Sequence, residues 1–352
     1  MTFLVQCGKI KHRGYYFRQK ATFFVRLHFT RAEGSFNMKK IQILLSTYNG
    51  EHFLREQLDS FLRLEGFDNV TVLIRDDGST DSTRDILREY SEKYGFEVIL
   101  GDNVGLNASM MELILCRDRE CSYFAFSDQD DVWLPQKLER AISALDGIDP
   151  NIPTLYAARS TLVNEELSPI GETIYPKRPL TFYNAMVQNV CAGHAQVVNG
   201  ALAELISRGG VDGISVFDHY VYTLAGGVGN IVFDYDCTTL YRQHGANVIG
   251  YDTGGKLSKI KHRFHRAMKT RKGEQMTRQL SAIVNSFSET LNGHCLNEAK
   301  RFLEKQKNFF TRLGYVFTTR AYRQSLAECV VFRMMYLFGK YKTHVEAHKA
   351  EI

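Results

Sequence analysis

The chain has 352 residues, 44% hydrophobic and 24% charged, which suits a soluble globular protein of one large domain with an appendage, or of two domains. No run of about 18 or more apolar residues occurs, so no helical bilayer span is expected, and none of the seven cysteines forms a C-x-x-C pair, which argues against a structural zinc site or a disulfide framework and for reduced thiols in a cytosolic protein. The net charge of +5 conceals an acidic body (−14 over residues 39–255) between two basic ends (+6 over 1–38 and +13 over 256–352).

Residues 1–37 show no apolar periodicity and no signal-peptide core, and are expected to be an extension with little fixed structure. From Met38 the text changes to a buried strand, Ile41 to Leu45, followed by a helix with Phe53, Leu54, Leu58, Phe61 and Leu62 at helical spacing. A second apolar strand, VTVLIRD, precedes a helix that Asp81 or Ser82 can cap and Gly95 can close. FEVIL is a third strand, LNASMMELILC a third helix and YFAFS a fourth strand. Apolar strands alternating with helices predict an α/β fold, a mostly parallel sheet with helices on both faces, and in such sheets ligands bind beyond the carboxyl ends of the strands.

The polar clusters fall at those ends: Ser46 to Asn49, Asp76 to Ser79, Asp102 to Gly105, and Asp128 to Asp131. Crowded carboxylates need a counter-charge. Asp131 reads in part as the cap of a helix beginning near Pro135, whereas Asp128 and Asp130 alternate on an extended segment and so share a face. A divalent cation such as Mg²⁺ or Mn²⁺ takes one or two carboxylates plus substrate phosphates, which fits that pair. Asp76 or Asp77 can accept hydrogen bonds from a base or a ribose.

STYNG, DDGSTDST, NVG and SDQDDVW, in this order and each after its own strand, resemble the nucleotide-binding half of family 2 glycosyltransferases with the GT-A fold, over residues 39 to about 250. SDQDDVW together with YRQHGANVIG is similar to the bacterial rhamnosyltransferase-type branch, which uses dTDP-L-rhamnose in cell-surface polysaccharide synthesis. The resemblance implies a GT-A domain over 38–255 and a basic helical region over 256–352. It implies nucleotide-sugar contacts from Thr47, Tyr48, Asn49, Asp76, Asp77, Asn103, Gly105 and Asp128, with Asp77 at the base. It implies a metal held by Asp130, with Asp128 nearer the ribose and His244 approaching the metal or the diphosphate. Asp218 is the implied catalytic base. Its neighbours Phe217, His219 and Tyr220 depart from the His-Asp-Trp-Trp run usual in relatives, a departure expected to fall on acceptor contacts. Gly193, His194, Trp133 and Arg242 are implied at the donor sugar, the acceptor or the leaving diphosphate, although His194 reads equally well as a satisfied histidine at a strand edge.

Two other readings compete. GYDTGGKL (Gly250–Leu257) nearly spells a P-loop, but Leu257 stands where a metal-binding hydroxyl is needed and no buried strand precedes it; AGGVGN (225–230) reads as helix termination. A non-catalytic nucleotide- or nucleic-acid-binding protein would use the basic tail but leaves the acidic loops unexplained, so no nucleic-acid partner is expected. The tail is expected to be helical over 280–292, 297–313 and 324–342, either packed on the catalytic domain or lying in an anionic membrane interface. The expected partners are a nucleotide-sugar donor and a glycan or lipid-linked acceptor, in the cytoplasm or at the inner face of the cell membrane.

Overall fold

The computed structural model describes residues 41–244 and 272–343. The expected N-terminal extension and the P-loop lookalike lie outside them. A nine-stranded sheet runs through the molecule: β1 (Ile41–Thr47), β2 (Val70–Asp76), β3 (Glu97–Leu100), β4 (Tyr123–Ser127), β5 (Val132–Trp133), β6 (Thr154–Val163), β7 (Pro169–Glu172), β8 (Gln196–Asn199) and β9 (Asn230–Arg242), in the order β3-β2-β1-β4-β8-β6-β9-β5, with β7 on β6. β1 to β4 are mutually parallel, with Thr47 level with Asp76 and Leu45 level with Ser127. Their four carboxyl ends therefore meet at one edge of the sheet.

Alternation along the strands fills both faces. Ile41, Ile43 and Leu45 of β1 and Tyr123 and Ala125 of β4 pack toward α1 (Leu54–Leu62), α2 (Thr83–Tyr94) and α4 (Lys137–Leu145). Leu44, Phe124 and Phe126 point the other way, toward α3 (Leu106–Cys116), α5 (Phe182–Ala185), α6 (Gly200–Arg208) and α7 (Phe217–Val228). Helix ends follow the sequence at α2, where Asp81 accepts from Thr83 N at 3.0 Å and Gly95 closes the helix at φ 74°.

The tail forms α8 (Lys272–Phe287), α9 (Gly293–Glu304), α10 (Phe309–Thr318) and α11 (Leu326–Leu337). The helix expected over 297–313 is broken by Asn308, whose capping box with Thr311 starts α10. Phe287, Phe302, Tyr315, Tyr336 and Tyr341 join the same core as Phe182 and Tyr220. The described tail thus completes the core on one face of the sheet. No helix among the described residues is long and apolar enough to cross a membrane, and no disulfide joins the six described cysteines.

Two strands of opposite sense bring distant sequence to the ligand edge. β8 is antiparallel to β4, so the residues entering it, Gly193 and His194, lie where β4 ends. β9 is parallel to β6 and β6 antiparallel to β8, so β9 leaves at the same edge and carries Arg242 and His244 there. α7 begins beside this edge with Asp218 in its first turn.

Candidate active site

The loops after β1 and β2 are pinned to each other. Asn49, left-handed at φ 48°, accepts from Thr80 N at 2.9 Å, while its own N–H donates to Ser79 Oγ at 2.9 Å. Gly78, at φ 82°, passes so close to the next loop that a Cβ would lie 2.7 Å from Asn103 N. Asp76 is fully buried and accepts from Arg84 Nε at 2.7 Å and from Ser79 N. Asp77 accepts from Arg75 and from the backbone N–H groups of Val104 and Gly105, both at 2.9 Å. These two carboxylates were expected to touch the nucleotide. Their burial and protein partners make them positioning residues that shape the loops instead. Thr47 is buried too, donating to Gln129 Oε1 at 2.6 Å, and the same oxygen accepts from Tyr48 N at 2.8 Å. What the edge leaves exposed is Tyr48, Asn49, Asn103, Gly105 and the loop around them.

The acidic knot differs from the expected extended segment. Residues 129 and 130 form a bend, which swings Asp131 back beside Asp128. Asp131 caps nothing: α4 starts at Lys137 behind Gln136, with no side-chain cap. Asp131 is instead completely buried, with Oδ1 accepting from Arg242 N at 3.1 Å and Oδ2 lacking a hydrogen-bond partner among the described residues. Burial first, then Asp130 and Asp128, hold its carboxyl well above the ordinary range. His194 faces it, with Nδ1 3.6 Å from Asp131 and 3.7 Å from Asp128, and its Nε2 hydrogen-bonded to Ser160 Oγ at 2.8 Å. Asp128, Asp131 and His194 can offer three ligand atoms lying within 4.8 Å of one another.

Asp130 takes a different partner, the Nε2 of His244 at 2.8 Å. Burial and the neighbouring Asp128 raise its pKa, and His244 opposes them. His244 rests on Phe53, ring centroids 5.1 Å apart. The edge thus gathers three carboxylates, whose oxygens are hard donors, and two imidazoles, whose nitrogens are borderline, with one buried carboxylate oxygen unanswered among the described residues. The carboxylates suit Mg²⁺ or Mn²⁺.

Asp218 stands across from the knot. It is the second residue of α7, whose cap position is taken by Val216. Gly193 N donates to its Oδ2 at 3.0 Å and His219 N to its Oδ1 at 2.6 Å. A Cβ on Gly193 would sit 3.3 Å from Asp218 Cβ, so this glycine permits the close approach. Burial pushes the Asp218 carboxyl up to about 6; the nearby Asp128 charge adds to the rise, and hydrogen bonds from Asn189, His219 and Gly193 oppose it. The flanking Phe217, His219 and Tyr220 are buried, with His219 Nε2 on Ala185 O at 2.6 Å. Their departure from the usual run therefore alters core packing, where acceptor contacts were expected.

Two other expectations need correction. Trp133 is 1% exposed, packed edge-on against Phe61 at 4.9 Å and under the Lys137 ammonium at 4.5 Å, so it is a core residue with no reach to a sugar. Trp133→Ala is expected to cost about 3–5 kcal/mol of stability in urea denaturation, and a cost below about 1 kcal/mol would return it to the surface. Arg242 is likewise 1% exposed; its guanidinium bonds Asp130 O at 2.9 Å, Glu165 O and Glu56, above the Phe53 ring at 4.4 Å. It orders the acidic loop, and a contact with a leaving diphosphate is not available to it here.

Sequence reasoning overlooked several contributors. Gln129 clamps the β1 loop. Lys137, buried, donates to His194 O and to Thr239 Oγ1, both at 2.9 Å; burial lowers its pKa to about 7 against the pull of Asp131. A lysine two residues after a proline carries no sequence signal for this. Asp131 did carry one, since it belongs to the acidic knot, but the helix after it offered a simpler explanation.

The chain can now be set beside known proteins. Residues 42–199 match the family described as Glycosyl transferase family 2. The dTDP-rhamnosyl transferase RfbG of Shigella flexneri is 36% identical over 106 residues, which are 29% of this chain and 36% of that protein. The UDP-Glc:alpha-D-GlcNAc-diphosphoundecaprenol beta-1,3-glucosyltransferase WfgD of Escherichia coli is 27% identical over 158 residues, 45% of this chain and 59% of that one. The match thus spans only about a third of the length of relatives such as RfbG. Among solved structures, residues 1–349 of S. aureus TarS superpose with a TM-score of 0.52 at 16% identity, covering 86% of this chain and 80% of that one, a likeness of fold. Residues 42–199, which carry the first strand ends and loops of this edge, thus match glycosyl transferase family 2, and the described fold is like that of TarS.

Proposed function

We propose that this chain is an inverting glycosyltransferase that moves a sugar from a nucleoside-diphosphate donor to an acceptor hydroxyl. The observation that carries the reading is Asp218, a carboxylate with a pKa pushed up to about 6, fixed by Gly193 N and facing the acidic edge where a donor would lie. A base with a pKa near the working pH is suited to taking a hydroxyl proton. In the reaction, the acceptor oxygen attacks the anomeric carbon, Asp218 takes its proton, and the bond from that carbon to the diphosphate oxygen breaks. Attack opposite the leaving group inverts the anomeric centre. Asp130 and His244, with Asp128 beside them, would hold Mg²⁺ or Mn²⁺. When bound, such a cation neutralises charge on the leaving diphosphate. Tyr48, Asn49, Asn103 and Gly105 are the exposed groups that would receive the nucleoside, while Asp76 and Asp77 act through the loops they hold.

The relatives sharpen the substrate. RfbG is named as a dTDP-rhamnosyl transferase, which supports dTDP-L-rhamnose as donor. WfgD is named for a sugar on diphosphoundecaprenol, which supports a lipid-linked acceptor in cell-surface polysaccharide synthesis at the cytoplasmic face of the membrane.

A thermal-shift panel of dTDP-, UDP- and GDP-linked sugars with Mn²⁺ tests this. A donor at about 100 times its dissociation constant adds about 2.7 kcal/mol, enough for a rise of roughly 5 °C. dTDP-L-rhamnose is expected to give the largest rise. A larger rise with a UDP-sugar would retain the transferase and remove rhamnose; no rise with any donor would remove both.

A further inference from the structure

Helices α10 and α11 each bury one side and leave the other bare. On α11 the buried residues are Phe332, Met335 and Tyr336. Leu326, Val330, Met334 and Phe338 stand exposed, Leu326 at 82%. Their spacing of four residues places them on the opposite side of the helix, within an arc of about 120°. α10 lies against α11, with Arg312 Nε donating to Leu337 O at 2.8 Å. It carries Phe310 and Phe317, seven residues apart and so on one face, 80% and 79% exposed. A bare apolar side chain standing alone needs no explanation, but six on two touching helices form a surface that something should cover.

Charge selects the occupant. Residues 305–343 hold eight Lys and Arg against one acid, Glu328. Arg333 is exposed within the α11 stripe, and Lys342 is exposed just beyond it. A second copy docked across a twofold axis would set this positive face against itself. Residues 245–271 of the same chain, with seven Lys and Arg and one Asp, would be repelled as well. Nucleic acid would answer the charge and leave the Phe and Leu side chains bare. An anionic bilayer answers both: apolar side chains enter the acyl boundary, cations meet the head groups, and Arg333 can reach outward along its own stem.

We propose that the exposed face of α10 and α11 is a peripheral docking surface for an anionic lipid bilayer. The inference goes beyond the sugar-transfer reading and does not depend on it, because it concerns where the protein works and uses no residue of the site.

The test is flotation of the full chain with vesicles of equal parts phosphatidylglycerol and phosphatidylcholine, against vesicles of phosphatidylcholine alone. Binding to the anionic vesicles is expected, weakening as salt screens the cations. Val330→Asn with Met334→Gln removes apolar area without changing charge, and is expected to weaken binding about tenfold or more at an unchanged melting temperature. Phe310→Asn with Phe317→Asn should do the same, and Arg333→Gln should reduce the salt dependence. Absence of binding to anionic vesicles at low salt overturns the proposal. Binding that all these variants leave intact also overturns it, assigning the contact to another basic segment. Concentration-dependent self-association in sedimentation that these variants abolish would overturn it in favour of a second copy.

Discussion

Asp218→Asn is expected to lower turnover by about 10²–10⁴-fold at neutral pH while donor binding persists. Asparagine keeps the shape of the side chain and one oxygen to accept from either Gly193 N or His219 N, which donate to the two carboxylate oxygens at 3.0 and 2.6 Å. The loss that lowers turnover is the ability to take a proton. The same residue predicts the pH profile of the proposed transfer. Burial, reinforced by Asp128, pushes the carboxyl up to about 6. A general base works unprotonated, so activity should climb as pH rises through about 6 and level off above it. The sign is opposite for a catalytic acid, whose activity would fall over that range. Steady-state rates over about two pH units on either side of that value, measured in native and Asp218→Asn protein, decide the matter. Turnover unchanged in the variant removes Asp218 from the role, and a flat profile removes its titration from the mechanism.

Asp130→Ala is expected to abolish any gain in donor affinity from a divalent cation, a gain of about 10–100-fold in the native protein. The reason is electrostatic. Asp130 is desolvated beside Asp128 and hydrogen-bonded at 2.8 Å to His244, so a cation placed there relieves a repulsion the fold has built in. Calorimetric titration of the donor with and without Mn²⁺ reads the effect directly. The structure also supplies a rival set, Asp128, Asp131 and His194. If metal-dependent affinity survives in Asp130→Ala and vanishes in Asp131→Asn, the cation belongs to that rival set. Since Asp131 is fully buried, its asparagine variant should be checked for an unchanged melting temperature first.

Much of this arrangement was legible in the linear text. The strands from Ile41 to Ser127 announce themselves by continuous apolar runs, and the polar residues after each run mark the ligand edge, because parallel strands must all end on one side. The placement of Asp218, Gly193 and His244 beside that edge was reached only through the family resemblance. The structure supplies its cause in the reversed strand β8 and in β9, pairings over long sequence separations that no local pattern encodes.

The failures share one physical origin. Trp133, Arg242, Asp76 and Asp77 were expected at the ligand by residue type and motif, and all four are buried with protein partners. A carboxylate or guanidinium that reads as binding chemistry along the chain serves equally well to tie one loop to another, and exposure separates the two uses. Asp131 failed in the opposite direction: it was given to a helix cap, and a bend at residues 129 and 130 put it beside His194.

The sequence by itself determined the α/β class, the sheet edge that carries the site and the acidic character of that edge, since these follow from hydrophobic period and from charges that cannot be neutralised locally. Only the tertiary structure decided which acids face the ligand and which brace the loops, and which side of the tail helices stays bare. Burial and partner choice depend on chain segments tens to hundreds of residues away, and they set whether a polar group is solvated, satisfied or left waiting for a ligand.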